Sequence, residues 1–504
     1  MSGRRTTRSH KGRASPRKPA VDPARSSPQR VEQLEAEVER LRRELNDAKK
    51  QIVDLERQLA LRQQNSTTSS KPPSSDGLAG RQRERGRRKK SRRKPGGQLG
   101  HPGHCRPLVP PERVNHVVPV FPATCRHCQH GLSGRGRQVI GEPRRHQVTE
   151  LPPIEADVTE YQCPQVVCPA CGKTTQASVP AEVDGQFGPQ LTALIAYLTV
   201  VCRVPRRLVQ TLLADALHVP ISLGSTQAAW EEASDAVRAP CQELEWALKH
   251  QPVLNGDETG HRTNAEKRWL WALVAQAFVV YKIATTRGTE VLVDLLGEAY
   301  AGVLCSDRWR PYQTYHRGAL QFCWSHFKRN VLGACDLAKT TEAERFCRDA
   351  LALQARLFRL WYRFRGDPAA RGAPLTRAQL IDKVLPLQKR FFVLGERHLD
   401  SPNDDVRNLA TALFVHHEKF FVFVHQDGVE PTNNRAERAL RAAVQWRKIM
   451  FGNRSAEGEV AVARLLTVTR TCQMQQLNAL AYLTAAIRCH RRRQTVASLL
   501  PKHQ

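Results

Sequence analysis

Apolar residues near the start of the chain recur with a strict four-three spacing. Val38, Leu45, Ile52 and Leu59 occupy one position of the heptad and Leu34, Leu41, Ala48 and Leu55 the other. β-Branched residues at two of the first positions and leucine dominating the second favour a parallel two-stranded coil. Glu37 and Glu44 face Arg42 and Lys49 across such a seam. The spacing predicts a coiled coil over residues 31–63 that assembles a homodimer or higher multimer. A single amphipathic helix packed on a domain has a similar period, though a looser one. The flanks are different in kind. Residues 1–30 are almost without apolar side chains and are expected to be a disordered basic tail. Residues 64–110 are a basic linker whose Ser, Pro and Gly prevent regular structure.

Helical periodicity returns at 181–248. Helices are expected over GPQLTALIAYLTVVCRV and PRRLVQTLLADAL, followed by a turn and a further helix from Ser225. The order has the shape of a helix-turn-helix, with Arg206, Arg207 and the Ser225–Gln227 start as candidate DNA contacts. Many helical hairpins share that outline and bind nothing. From Pro252 the period becomes strand-like. Strands are predicted over Pro252–Asp257, Arg268–Ala275, Phe278–Thr285, Gly302–Asp307 and Leu320–Trp324, with a helix over Thr289–Leu296, which makes a mixed α/β sheet. Residues 339–419 read as a charged helical insertion and 456–504 as closing helices. The fold class is therefore multidomain, α/β plus α.

Charge adds a partner to this picture. The chain has a net charge of +30 and a pI near 10.1, and residues 1–110 hold 28 Lys/Arg against 11 Asp/Glu, over half of the surplus. A concentrated basic segment suits a nucleic-acid backbone, although a solvated basic tail has the same letters. No apolar signal segment is visible at the N-terminus, and the longest apolar stretch, Leu191 to Val204, is too short to span a bilayer. The expectation is a cytoplasmic, nucleoid-associated protein with no membrane partner.

The cysteines divide into two kinds. Most are scattered singly in apolar surroundings, as in reduced proteins. Cys125 and Cys128, then Cys168 and Cys171, instead form two CxxC pairs, which point to a structural Zn²⁺ held in a small ribbon-like module over 111–180, with Gly172 easing one turn. Cys163 is an alternative ligand, and Cys105, His127 and His130 are further donors nearby. The rivals are buried free thiols and a redox CxxC, for which the flanking βαβ pattern is missing.

Chemistry is concentrated in three carboxylates. Asp257 and Asp307 each end an apolar run (PVLNGD and AGVLCSD), and VEPTNNRAERALR carries Glu437 on a helix, with Thr432 as its expected N-cap and Asn433 four residues before Glu437. Two strand-end aspartates and a helix-borne glutamate can share two divalent cations, and hard oxygen ligands select Mg²⁺ or Mn²⁺. A lone aspartate after an apolar run is more commonly a turn or cap residue, but three in this order shift the balance. Glu258 and Glu430 are competing carboxylates, and strand alternation should turn Glu258 away from Asp257. His326, in CWSHFKRN, is a candidate phosphate contact. Arg435, Arg438 and Arg441 are candidate DNA contacts or a solvated face. Trp324, Trp269 and Trp271 are expected in the core.

Together these motifs resemble the insertion sequence 66 family of transposases, part of the Asp-Asp-Glu group with a ribonuclease-H-like fold. The resemblance runs through the zipper, the SSKPPSSD and GGQLGHPGH linker, the CxxC module, DET, CSD with RPY, CWSHFKR, NNRAERALR and RKIMFGN. It implies a ribonuclease-H-like catalytic core at 249–338 and 420–455, recognition of double-stranded DNA at an element's terminal inverted repeats and at a target, and metal-dependent cutting and joining by Asp257, Asp307 and Glu437. Accessory proteins of the element would be further partners. A catalytically inactive DNA-binding relative and a different ribonuclease-H-like nuclease are the other readings.

Overall fold

The computed structural model describes residues 28–63, 106–132, 138–180, 182–183, 185–338 and 340–501. Nearly all of the expected basic tail and most of the linker lie outside them. The heptad segment is one helix, α1 (Pro28–Gln63), and its apolar stripe is exposed, with Leu41 at 51% and Leu45 at 56%.

The CxxC segments form two turns of the same design. The Cys125 carbonyl accepts from Gln129 N–H at 2.9 Å and the Cys168 carbonyl from Gly172 N–H at 2.8 Å. In both turns the donor residue has a positive φ, 58° at Gln129 and 68° at Gly172, so the expected glycine role at Gly172 holds. The second turn joins β1 (Gln165–Val167) to β2 (Thr174–Gln176), which pair antiparallel.

Four helices follow: α2 (Pro189–Val200), α3 (Arg206–Leu217), α4 (Leu223–Ala236) and α5 (Arg238–Leu248). Ile195, Val209, Leu213 and Ala229 form a small core among the first three. The second helix of the expected helix-turn-helix starts two residues before Ser225, because the Ser222 hydroxyl caps it by accepting from Ser225 N–H at 2.9 Å.

The central sheet has the order β5-β4-β3-β6-β7, made from β3 (Val253–Thr263), β4 (Glu266–Val274), β5 (Val279–Ala284), β6 (Val303–Ser306) and β7 (Leu320–Phe322). The first three strands are an antiparallel meander, and β6 and β7 add to β3 in parallel. Crossover runs through α6 (Thr289–Leu296), at the expected bounds, and β6 returns to β7 through α7 (Arg310–Tyr315). Strand β3 is longer than expected and carries Asp257 within it rather than at its end. Of the strands, β4 alone pairs with its second half, through a turn at Asn264 and Ala265, both with positive φ of 49° and 66°. An alanine occupies the place where glycine would have announced the hairpin.

Beyond the sheet come α8 (Trp324–Leu337), α9 (Thr341–Phe364), α10 (Arg377–Glu396), α11 (Asp404–Val415), α12 (Val422–His425), α13 (Asn434–Met450), α14 (Ala456–Met474) and α15 (Ala479–Arg491). The expected insertion is thus helical. It is fused to the core by Trp324, fully buried against Phe391, Phe420 and Phe421, with its indole N–H donating to the Phe420 carbonyl at 2.7 Å. On the other side of the sheet, Thr467 and Thr471 of α14 accept from the backbone N–H groups of Tyr281 and Val279, which covers the edge of β5. Helix α15 docks on the early helices through Arg491, which grips Glu232 at 2.6 and 2.9 Å.

Candidate active site

Register places the first two carboxylates. Asn255 of β3 pairs with Cys305 of parallel β6, which brings Asp257 on β3 beside Asp307, the first residue past the end of β6. The charge of Asp307 acts on the Asp257 carboxyl accordingly. Glu258, one residue on, turns to the opposite side as alternation requires. There it is buried, accepting from Arg287 at 2.6 Å and from the Tyr312 hydroxyl at 2.5 Å. Asp307 begins the loop into α7, and its Oδ1 accepts from Trp309 N–H at 2.8 Å.

Helix α13 brings the third carboxylate. Asn433, not Thr432, is the N-cap residue, and its side chain does not cap. It is 1% exposed and crosses to β3 instead, donating to the Gly256 carbonyl at 2.7 Å and accepting from Asn255 Nδ2 at 3.0 Å. The start of α13 is thereby fixed to the strand that carries Asp257. Two further bonds tie it to α8: Trp324 N–H donates to the Pro431 carbonyl at 2.9 Å, and Asn433 N–H to Cys323 Sγ at 3.1 Å. The far end of the helix is strapped to the β3–β4 hairpin. Asn453 exchanges backbone bonds with Arg262 and Asn264, and its side chain meets His261 Nε2 at 2.6 Å. Gly452 makes this strap feasible: its φ is +94°, and a Cβ there would lie 2.2 Å from the Arg262 carbonyl oxygen. RKIMFGN is therefore a structural clasp.

The resulting electrostatics are those of crowded negative charge. Burial, and then the charges of Glu258, Asp307 and Glu437, hold the Asp257 carboxyl well above the usual carboxylate range. Burial also raises Glu258, against the opposing effect of Arg287. Glu437 Oε1 is buried without a hydrogen-bond partner, and it faces His326 Nδ1, equally unpartnered, at 3.5 Å and Arg329 at 3.8 Å. A divalent cation among Asp257, Asp307 and Glu437 would relieve the repulsion and give the orphaned oxygen a ligand, so the donor set fits a metal in its chemistry, while the three carboxylates do not bring one oxygen each within 4.8 Å of one another. Among the described residues, the one Cys/His/carboxylate group whose ligand atoms all lie within 4.8 Å of one another is Cys323, His326 and Glu437. Burial pushes the Cys323 thiol up to about 11, and it already accepts from Asn433 N–H. Through that bond it orients the start of α13.

Other candidates are distributed unevenly. His326 is beside Glu437, and burial lowers its pKa so that it is neutral. Arg438 and Arg441 are exposed along α13, whereas Arg435 leans on Glu430, which is held by Arg365 at 2.7 Å. That ion pair removes Glu430 as a rival to Glu437. Arg207 is exposed, but Arg206 is packed over the Trp230 ring at 4.8 Å. Trp271 is fully buried, while Trp269 is partly open beneath Lys267 and Arg287. The paired cysteines 125/128 and 168/171 form their two turns without gathering all four sulfurs within that 4.8 Å limit. Arg287 and Tyr312, which hold Glu258, are site residues that sequence reasoning gave no role of their own, whereas Arg329, a candidate phosphate or target-strand contact beside His326, lies 3.8 Å from Glu437. Tyr312 was signalled only by its nearness in sequence to Asp307, and Arg287 by nothing in its own neighbourhood.

A family model described as "Transposase IS66 family" matches residues 184–461, which span every element of this site. The chain belongs to the IS66 transposase family. Members of that family process DNA, bind it and generally use divalent metals. A second model, described only as a family of unknown function, matches residues 20–107. Two relatives from Sinorhizobium fredii (strain NBRC 101917 / NGR234) are similar over most of their length. "Uncharacterized protein y4qI" is 23% identical over 75% of this chain and 72% of its own, and "Uncharacterized protein y4hP" is 23% identical over 73% and 70%. No helix among the described residues is long and apolar enough to cross a membrane.

Proposed function

We propose that this chain is a DNA transposase that binds the terminal inverted repeats of an insertion sequence and catalyses two-metal-dependent strand cleavage and transfer. The observation that carries the reading is Asp257 on β3 beside Asp307, just past the end of parallel β6, with the Glu437 helix hydrogen-bonded to β3 through Asn433. The sheet order, a three-strand antiparallel meander extended by two parallel strands, supports a ribonuclease-H-like core interrupted by the 339–419 insertion.

Asp257, Asp307 and Glu437 would hold two Mg²⁺ or Mn²⁺ ions. Such ions supply activation of the attacking oxygen and stabilisation of the leaving 3′ oxygen in an in-line displacement. The chain's own residues do the rest. Asn433 and Cys323 position the Glu437 helix. Neutral His326 offers a ring nitrogen beside Glu437 that can donate to a phosphate oxygen. Arg438 and Arg441 present exposed positive charge along the same helix for the DNA backbone. The exposed heptad stripe of α1 supports self-association, and the two matched CxxC turns support a structural Zn²⁺. In both turns the leading thiol, Cys125 or Cys168, is drawn down by backbone N–H groups, as a thiolate ligand requires.

The test uses synthetic duplexes copied from the DNA flanking the reading frame, incubated with Mg²⁺ or Mn²⁺. Metal-dependent nicking at the element boundary, abolished in Asp307→Ala and Glu437→Gln, is the expected result. Tight binding with no cleavage in either metal would assign an inactive regulatory relative instead. Cleavage unchanged in Asp307→Ala would remove the proposed site.

A further inference from the structure

Beside Asp307 a cavity of about 390 Å³ opens between the catalytic face and the helical insertion. Its walls come from three elements. The loop into α7 gives Arg308, Trp309 and Gln313, α8 gives His326 and Asn330 one turn apart, and α11 gives Asn408 and Thr411 on one face. Its chemistry is mostly neutral. Arg308 is the one full cation, and its guanidinium is engaged by Asn330, whose amide, oriented by its neighbours, accepts from it at 2.6 Å. The rings of His326 and His416 complete the lining. What is left to meet a ligand is the Asn408 amide, the Gln313 amide oxygen, the Thr411 hydroxyl oxygen and the open face of the Trp309 ring, because the Asn330 amide, the Gln313 NH₂ and the Thr411 hydroxyl hydrogen are already bonded. Trp309 is 40% exposed, and one face of its ring is backed by Arg287 at 4.1 Å.

A groove of similar size elsewhere on the insertion shows the contrast. Between α9 and α10 it is lined by Arg356, Lys389, Arg390 and Arg397 with a single carboxylate, Asp349, the lining expected of a backbone-phosphate track. The Asp307 cavity lacks that charge. Amides that read hydrogen-bonding edges, with an aromatic face for stacking, are the lining expected for a nucleobase. A volume of this size falls within the range of about 300–1,000 Å³ typical of small-molecule sites.

We infer that the cavity receives a single unpaired nucleotide from the strand next to the cleaved phosphodiester, extruded from the duplex and stacked on Trp309. The inference rests on the transposase reading, because that reading places a scissile phosphate at Asp307. It adds that the DNA is distorted at the element boundary and that the insertion closes over the distortion through Asn408 and Thr411.

The experiment steps one abasic nucleotide across the boundary in duplexes copied from the flanking DNA. Affinity is measured in Ca²⁺ and cleavage in Mg²⁺, for the full chain and for Trp309→Ala, Trp309→Phe and Asn408→Ala. One position is expected at which base removal changes affinity or rate by about tenfold in the parent chain, within what a base–aromatic stack contributes. At that position the same removal should have no further effect in Trp309→Ala, while Trp309→Phe behaves as the parent. Asn408→Ala lies on the insertion, away from the core, and should weaken the same position alone, which keeps the test meaningful if Trp309→Ala misfolds. Cleavage that persists with no such position, or with base and side-chain effects that simply multiply, overturns the cavity's role and leaves the transposase reading standing. Failure to bind or cleave any boundary duplex overturns both.

Discussion

Asn433→Ala is the substitution on which the site's architecture is most exposed. The side chain makes two buried bonds, to the Gly256 carbonyl at 2.7 Å and from Asn255 Nδ2 at 3.0 Å. Truncation leaves both partners unsatisfied in a place without water, since Asn255 is only 4% exposed. At about 1–3 kcal/mol for each of the two orphaned groups, the expected loss is about 2–6 kcal/mol. The same truncation frees the first turn of α13 from β3. A displacement of about 1 Å at Glu437 would lower the cleavage rate about a hundredfold. Urea unfolding followed by tryptophan fluorescence reads the first effect, and single-turnover cleavage in Mg²⁺ the second. Asn255→Ala combined with Asn433→Ala should cost less than the sum of the two, because one orphan disappears. The exposed neighbour Asn434→Ala should leave both readouts unchanged. A loss below about 0.5 kcal/mol, within the range of ordinary surface substitutions, together with unaltered cleavage, would refute the idea that Asn433 couples the helix to the strand.

The remaining predictions concern charge, backbone, metal and assembly. Asp257 and Glu258 both have folded-state pKa values raised by burial, so each is more easily protonated when folded than when unfolded. Stability of the metal-free chain should therefore fall as pH rises from the usual carboxylate range, about 4, through these raised values. Melting curves against pH should show the slope flattened by Asp257→Asn and reversed by Mg²⁺. Gly452→Ala forces a side chain into positive φ against the Arg262 carbonyl and should destabilise by at least about 2 kcal/mol in the same unfolding assay. Chelation of Zn²⁺ should make Cys125, Cys128, Cys168 and Cys171 reactive to a thiol reagent together, and Cys168→Ser should lower bound zinc measured by atomic absorption. Leu41→Lys with Leu45→Lys should convert the assembly to monomers in sedimentation analysis, with the spectrum of the core unchanged.

Local rules carried the reading of the sequence wherever the energetics are local. The four-three spacing gave α1, and apolar alternation with a Gly-bounded helix gave Thr289–Leu296 and its flanking strands. What failed depends on partners far along the chain. Thr432 obeys the capping preferences, yet the helix begins after Asn433, because β3 offers that side chain two buried bonds that no sequence window contains. Asp257 reads as a strand end, since the β3–β4 turn uses Asn264 and Ala265 instead of a glycine. Arg206, read as a candidate DNA contact, lies over the Trp230 ring, a partner from the next helix that no local window announces. The place of His326 beside Glu437 was signalled only by the short spacing from Cys323, whose importance appears when Asn433 N–H is seen donating to its sulfur.

The bond between Trp324 N–H and the Pro431 carbonyl closes the insertion at its neck. Everything between those two residues leaves and re-enters the catalytic layer through one doorway. Growth, shrinkage or replacement of the excursion then changes loop entropy only slowly with length and does not move the glutamate. Separation along the chain between the second aspartate and the glutamate is consequently a poor ruler for recognising such enzymes. The backbone bond that closes the doorway, not the length of chain beyond it, fixes where the glutamate helix begins.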